Sequence, residues 1–266
     1  MAERESILIF DSGLGGLTVH REVRAARPHA DILYVADDAG FPYNALKEPA
    51  LVARVVTLIS DLIAKHRPDL VVLACNTAST IVLPDLRKSL SLPIVGTVPA
   101  IKPACSASVT RRVSVLGTQA TVAREYTRAL IRDYAQGCQV TLVGSKELAG
   151  YAEMELAGTP VADPALRAEI EACFVDDGQR TDTVVLACTH YPLLLERLRQ
   201  VAPWPVNFID PAPAIARRVG DLLGPPSLKS QPGYARAIFT SGRPPEAVLA
   251  RFGIGANEPV QASARR

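Results

Sequence analysis

The chain has 266 residues, 48% hydrophobic and 21% charged, with a formal net charge of +2. It is long enough for one large or two medium domains with filled cores, and so even a charge balance supplies no electrostatic attraction for nucleic acid or a membrane surface. The five cysteines, odd in number and without C-x-x-C spacing, argue against a disulfide framework or a zinc site and fit a reducing cytoplasm. The start lacks the pattern of a signal peptide, and no stretch approaches the ~20 apolar residues that span a bilayer.

From the amino terminus, SILIFD (6–11), ADILYVAD (30–37), DLVVLAC (69–75) and LPIVGTV (92–98) read as strands. Between them, LTVHREVRAARP, EPALVARVVTLISDLIAKHRP and STIVLPDLRKSL carry apolar residues at three- and four-residue spacing and read as helices. The pattern then restarts. RRVSVLG (111–117), GCQVTLVG (137–144), DTVVLAC (182–188) and VNFID (206–210) are strands, with helices at TVAREYTRALIRDYA, ADPALRAEIEACFVDD and PLLLERLRQVA. After Asp210, PAPAIARRVGDLL reads as a helix and YARAIFTSG as one more strand and turn, a tail expected to return to the first domain. The terminal ANEPVQASARR is expected to fray.

Near-continuous apolar strands separated by helices predict parallel sheets covered on both faces. The second half echoes the first: ILIFDSG matches VSVLGTQ in kind, and DLVVLAC matches DTVVLAC almost letter for letter. The expected architecture is therefore two α/β domains related by duplication, residues 1–98 with 211–266 forming one and 99–210 the other. Packing alone accounts for the repeated valines, but it does not call for cysteine at the end of both copies.

In parallel α/β sheets, sites form beyond the carboxyl ends of the strands. Cys75 and Cys188 both end a strand ahead of a predicted helix, where free N–H groups and the helix dipole lower a thiol pKa. Sulfurs reaching one carbon from opposite sides would invert a stereocentre, one thiolate removing a proton while the opposite thiol delivers another. No metal cluster or nucleotide fingerprint appears, so the expected reaction uses no cofactor and no metal. A disulfide oxidoreductase fits less well, because its cysteines sit close in sequence. A cysteine hydrolase built on Cys188 and His190 leaves Cys75 unexplained. Cys105, Cys138 and Cys173 are assigned to packing.

FDSGLGG (10–16) makes a strand-to-helix turn whose glycine spacing misses the dinucleotide pattern. Asp11 and Ser12 stand at that strand end, where a carboxylate tunes a neighbouring thiol. Asn76, Thr77 and Thr189 come after the cysteines and suit either helix capping or a grip on carboxylate oxygens. His190 is placed to assist Cys188 or to bind an anion, and His20, His29 and His66 are assigned to solvent-facing positions.

With FDSGLGGLTV, FPYN, ACNTAST and ACTHYPLL in this order over about the first 210 residues, the sequence resembles the glutamate racemases of the aspartate/glutamate racemase superfamily. The resemblance implies two pseudo-symmetric flavodoxin-like domains with the active site in the cleft between them, often in homodimers. It implies cofactor-independent interconversion of L- and D-glutamate in the cytoplasm, supplying D-glutamate for cell-wall peptidoglycan. It makes Cys75 the base for D-glutamate and Cys188 the base for L-glutamate, with Asp11 and His190 as their polar assistants. Ser12, Tyr43, Asn76, Thr77, Thr189 and His190 become substrate contacts, together with Asp11, and Glu153 a further catalytic carboxylate. The motif departs where the family reads DNARFPYG and this chain reads DDAGFPYN (37–44). Asn44, counted with the substrate contacts, replaces a glycine and is expected to narrow the pocket, weaken binding or shift the preferred substrate; Gly40 and Asp38 differ without an evident reason. An aspartate-directed member of the superfamily and a non-catalytic binding protein that keeps the fold are the competing readings.

Overall fold

A computed structural model describes residues 4–225 and 231–255. In chain order the elements are β1 Ser6–Asp11, α1 Leu17–Ala26, β2 Asp31–Ala36, α2 Glu48–His66, β3 Leu70–Leu73, α3 Asn76–Ser89 and β4 Ile94–Gly96. Next come α4 Ile101–Ala107, β5 Arg112–Thr118, α5 Gln119–Ala123, α6 Glu125–Tyr134, β6 Gln139–Ser145, α7 Leu148–Leu156 and α8 Asp163–Ile170. The remainder is β7 Thr183–Ala187, α9 Leu195–Val201, β8 Asn207–Ile209, α10 Ala212–Leu223, β9 Ala235–Phe239 and α11 Glu246–Arg251. The expected fraying of ANEPVQASARR lies outside the described residues.

The chain divides into two compact units, one running to Gly96 and resuming at Ala212, the other spanning Thr97–Pro211. The first holds a parallel sheet in the order β4-β3-β1-β2-β9, the second a parallel sheet in the order β6-β5-β7-β8. Each winds outward from its first strand in both directions, the flavodoxin-like arrangement. The tail does rejoin the first sheet, with Ile32 of β2 in register with Ala235 of β9.

Strand β3 is buried at every residue and so is β7, as helices on both faces require. The helices carry one apolar stripe each: Leu51, Val55, Ile59 and Leu62 of α2 face inward at three- and four-residue spacing. Glu48 and Pro49 open that helix and Lys65 and His66 close it, complementing the dipole at both ends.

The repeated aspartate ahead of each apolar run is a structural lock. Asp69 Oδ2 accepts from Ser6 N at 2.8 Å, where β1 begins. Asp182 accepts from Val109 N at 2.7 Å, Thr110 N at 2.8 Å and Ser108 Oγ at 2.7 Å, just ahead of β5. Each pins the entry to its unit's first strand against the strand that ends in cysteine.

The predicted helix TVAREYTRALIRDYA is broken at Arg124, which adopts an extended ψ of 141°. Thr127 Oγ1 donates to Thr121 O at 2.7 Å, taking the carbonyl that a continuous helix would have used. Helices α4, α7 and α11 lack a clear signal in the sequence: α4 carries Pro103 and α7 carries Gly150, and both are short.

His20 corrects the solvent-facing assignment. The first turn of α1 is covered on all sides, α10 packing against it, and His20 is fully buried edge-on to Tyr34. Neither of its ring nitrogens has a hydrogen-bond partner. His29 and His66 are half-buried, His29 Nδ1 lying 3.0 Å from Gln231 O and His66 Nδ1 3.1 Å from Arg236 Nη2. Burial, and then the Arg24 charge, push the His20 pKa down to about 4 from 6.5. Across that window the unfolded chain holds a proton that the native protein refuses, so stability falls as pH drops from about 6.5 toward 4. Urea unfolding should show this group removing about 2 kcal/mol between pH ~7 and pH ~5, and His20→Leu should abolish that part of the pH dependence.

Candidate functional site

In the first sheet β1 and β3 are neighbours, and the chain winds away from them in opposite directions. Such a switch point leaves a crevice beyond the carboxyl ends of the central strands. Asp11 closes β1, Ser12 comes directly after it, and Cys75 lies just past β3. Cys75 is the N-cap of α3, and its sulfur accepts from Ala78 N at 3.5 Å. A free amide and the dipole of a 14-residue helix therefore both favour the thiolate. Ser12 Oγ sits 3.6 Å from that sulfur, and either atom can donate.

Asp11 is fully buried, and its Oδ2 accepts from Gly16 N at 2.9 Å and Gly13 N at 3.3 Å. The loop turns back on its own carboxylate so closely that a Cβ at Gly16 would lie 2.7 Å from Asp11 Cβ. Tyr34 braces the loop from below by donating to Gly13 O at 2.6 Å. Asn76 and Thr77, the first residues of α3, are buried, and neither polar end of the Asn76 side chain has a hydrogen-bond partner.

Tyr43 is buried in the same apolar cluster as Cys75. Its hydroxyl donates to Asp37 Oδ2 at 2.6 Å. Burial first, then the charge of Asp37 and those of Cys75 and Asp11, raise its pKa far above the ordinary phenol, so it stays neutral. Asn44 sits next to it in a 3-10 turn, Tyr43–Ala45; its side chain lies outside what the structure describes.

The second sheet repeats the frame with other side chains. Phe10 is in register with Leu73, and Leu116 with Leu186. Matching the two Leu-Ala-Cys stretches therefore sets Gly117 where Asp11 stands and Thr118 where Ser12 stands. No carboxylate ends β5; instead Thr118 Oγ1 lies 2.9 Å from Thr121 Oγ1. The polar partner of Cys188 comes from elsewhere. Its sulfur is 3.8 Å from His190 Nδ1, and His190 Nε2 is 2.9 Å from Glu153 Oε1 on α7. Thr189 and His190 are both buried at 2% exposure, so this file of groups is held by packing as well as by hydrogen bonds.

Cys188 departs from expectation in one respect. It leads into a turn and a 3-10 helix, Tyr191–Leu194, before α9 begins. Tyr191 N donates to Cys188 O at 3.1 Å and Leu193 N to His190 O at 3.0 Å, three-residue bonds around Pro192, which has no N–H to give. A helix N-terminus therefore stands at Cys75 but not at Cys188, whose polar neighbour is His190, itself 2.9 Å from Glu153.

The remaining cysteines are packing groups. Cys173 is fully buried and its thiol is pushed up to about 12 by burial; Cys105 is likewise raised to about 12, by burial and then by Cys138. Among the described residues no cluster of His, Cys, Asp or Glu is suited to a metal ion, and no helix is long and apolar enough to cross a membrane. Thr121 echoes Thr18 in the repeat, but Thr118 and the polar network around Asp37 do not stand out in the sequence. Hydroxyls in LGTQAT carry no distinctive spacing, although Thr118 falls opposite Ser12 once the repeats are aligned.

Comparison with known proteins gives the family of the chain. A profile of Asp/Glu/hydantoin racemases matches residues 18–219. The glutamate racemase of Agrobacterium fabrum is 52% identical over 241 residues, covering 90% of this chain and 88% of its own. That of Sinorhizobium medicae is 52% identical over 245 residues, with 91% and 90% covered. Among solved structures, Escherichia coli glutamate racemase in complex with L-glutamate and activator UDP-MurNAc-ala superimposes with a TM-score of 0.87 at 38% identity, over 97% of this chain and 98% of that one. The chain belongs to the Asp/Glu/hydantoin racemase family and is an amino-acid racemase, an isomerase.

The loop at Asp11 gives a direct test of how the site is held. Gly16→Ala is expected to force the loop off its carboxylate and to cost about 1–3 kcal/mol. Gly150→Ala in α7, where a Cβ meets nothing within 4 Å, should instead stabilise by about 0.5–1 kcal/mol through helix propensity. Denaturant midpoints of the two variants should move in opposite directions.

Proposed function

We propose that this racemase interconverts L- and D-glutamate by a two-base mechanism in which Cys75 and Cys188 are the acid and base. The observation that carries the reading is the duplicated cysteine, each copy at the carboxyl end of a central strand with its own hydrogen-bonding partner. One thiolate takes the α-proton while the other thiol supplies a proton to the opposite face, and the pair is left with its charges exchanged. For the return reaction the roles reverse, Cys75 acting on D-glutamate and Cys188 on L-glutamate.

The α-proton of an amino acid is a very weak acid, and positioned acid–base groups contribute about 10²–10⁴-fold. The developing carboxylate charge must also be met by preorganised donors. Asn76, Thr77 and Thr189 are the proposed donors, with Ser12 and Tyr43 completing the contacts beside Cys75. Asp11 assists Cys75, and the Glu153–His190 pair assists Cys188 by orienting the imidazole toward sulfur. Asn44, in place of the family's glycine, is the proposed source of any difference from the relatives in binding strength or preferred substrate. The identities of the relatives support glutamate as the substrate. A cytoplasmic role supplying D-glutamate to peptidoglycan, by a homodimer, completes the proposal.

Incubation with each glutamate enantiomer in deuterated water, with no added cofactor, is expected to give conversion in both directions with deuterium at Cα. Cys75→Ser and Cys188→Ser should each lower full conversion by about 10²-fold or more. Normal turnover in both variants would remove the two-base assignment, and activity on aspartate alone would remove glutamate.

A further inference from the structure

Asp37, the residue after β2, is fully buried, yet its carboxylate is saturated with donors from distant parts of the chain. Arg54 on α2 grips it from both ends, Nε on Oδ2 at 2.6 Å and Nη2 on Oδ1 at 2.5 Å. Thr240, just past β9, donates to Oδ1 at 2.7 Å, and Tyr43 donates to Oδ2 at 2.6 Å. Thr240 Oγ1 also accepts from Ala39 N at 3.1 Å, and Ser241 N donates to Asp38 Oδ1 at 2.9 Å. The returning tail therefore clamps the loop that carries Tyr43.

Gly40 makes this grip possible. A Cβ there would meet Arg54 Nε at 2.8 Å, Asp37 Oδ2 at 2.9 Å and Tyr43 Cε1 at 3.0 Å, closer than side chains tolerate. Gly40 is also one of the positions where the chain leaves the DNARFPYG pattern, which carries arginine there. With no side chain at 40, the Arg54 guanidinium reaches Asp37 from α2. Charge-assisted, two-pronged bonding to a buried carboxylate is the strong and directional kind, and it leaves Asp37 Oδ2 oriented to hold the phenol.

We propose that Arg54, admitted by Gly40 and braced by Thr240, is a positioning residue that fixes Tyr43 against Cys75 through Asp37. Tyr43 spends its proton on Asp37, so it presents ring and oxygen lone pairs, not a donor, to its remaining neighbours. Loss of the clamp frees the phenol and uncovers a thiol that is only 6% exposed.

The test uses the full chain with Arg54→Met, Thr240→Val and Thr240→Ser. Iodoacetamide labelling, resolved by peptide mass spectrometry, reads Cys75 with Cys188 as internal reference. Cys75 should label about three-fold faster or more in Arg54→Met and Thr240→Val, with Cys188 unchanged and Thr240→Ser restoring the wild-type rate. The kinetic arm rests on the glutamate reading: KM should rise about ten-fold in Arg54→Met with a smaller change in kcat. Equal rates at Cys75 in all variants, or parallel acceleration of both cysteines, would overturn the proposal. Thr240→Val, a change of one hydroxyl, carries the test if Arg54→Met does not fold. A wild type inert on glutamate that still shows the selective labelling pattern would remove the substrate and leave the clamp standing.

Discussion

A polar side chain along a parallel strand covered by helices on both faces must find a buried partner, as Ser114 of β5 does in donating to Cys173 O at 2.6 Å. That constraint keeps the strand interiors of this protein largely apolar. Strands β3 and β7 are buried throughout, so polar chemistry is driven to their ends. At the amino ends stand Asp69 and Asp182, each tying down the start of its unit's first strand. At the carboxyl ends stand Cys75, whose sulfur meets the N–H of Ala78, and Cys188, whose sulfur lies 3.8 Å from His190 Nδ1. The repeated stretch thus carries an aspartate that ties down the sheet at one end and a cysteine at the other, separated by apolar residues that serve the sheet.

The duplicated frame does not impose duplicated chemistry. On the first sheet a carboxylate closes the central strand and a serine hydroxyl approaches the sulfur at 3.6 Å. The corresponding positions on the second sheet are Gly117 and Thr118, and the polar partner comes instead from the turn after the cysteine, backed by Glu153 on α7. Similar strands thus set two cysteines beside different polar neighbours, Ser12 at Cys75 and His190 at Cys188. A helix N-terminus contributes at Cys75 and a 3-10 turn replaces it at Cys188, so the divergence reaches the backbone.

Around Asp37 the same economy runs in reverse. A charge is buried, which is costly unless every acceptor site is met. The donors that meet it come from α2, from the loop after β2 and from the segment after β9. Rigidity near Cys75 therefore depends on residues drawn from opposite ends of the sequence. The closing tail is part of the first unit's polar framework as well as of its sheet.

The sequence by itself determined the alternation of strands and helices, the two-unit repeat, the returning tail, and the positions of Asp11, Ser12, Cys75, Asn76, Thr77, Cys188, Thr189 and His190 at strand ends. These are local signals: apolar periodicity, strand length, and polar residues where a run stops. Only the tertiary structure decided that His20 is buried, that TVAREYTRALIRDYA breaks at Arg124, that Glu153 meets His190, and that Arg54 and Thr240 share one carboxylate. Each of those outcomes depends on a partner brought up from elsewhere in the chain. Helix periodicity says which residues share a face, but what covers that face, or which distant donor reaches a buried oxygen, is settled by packing alone.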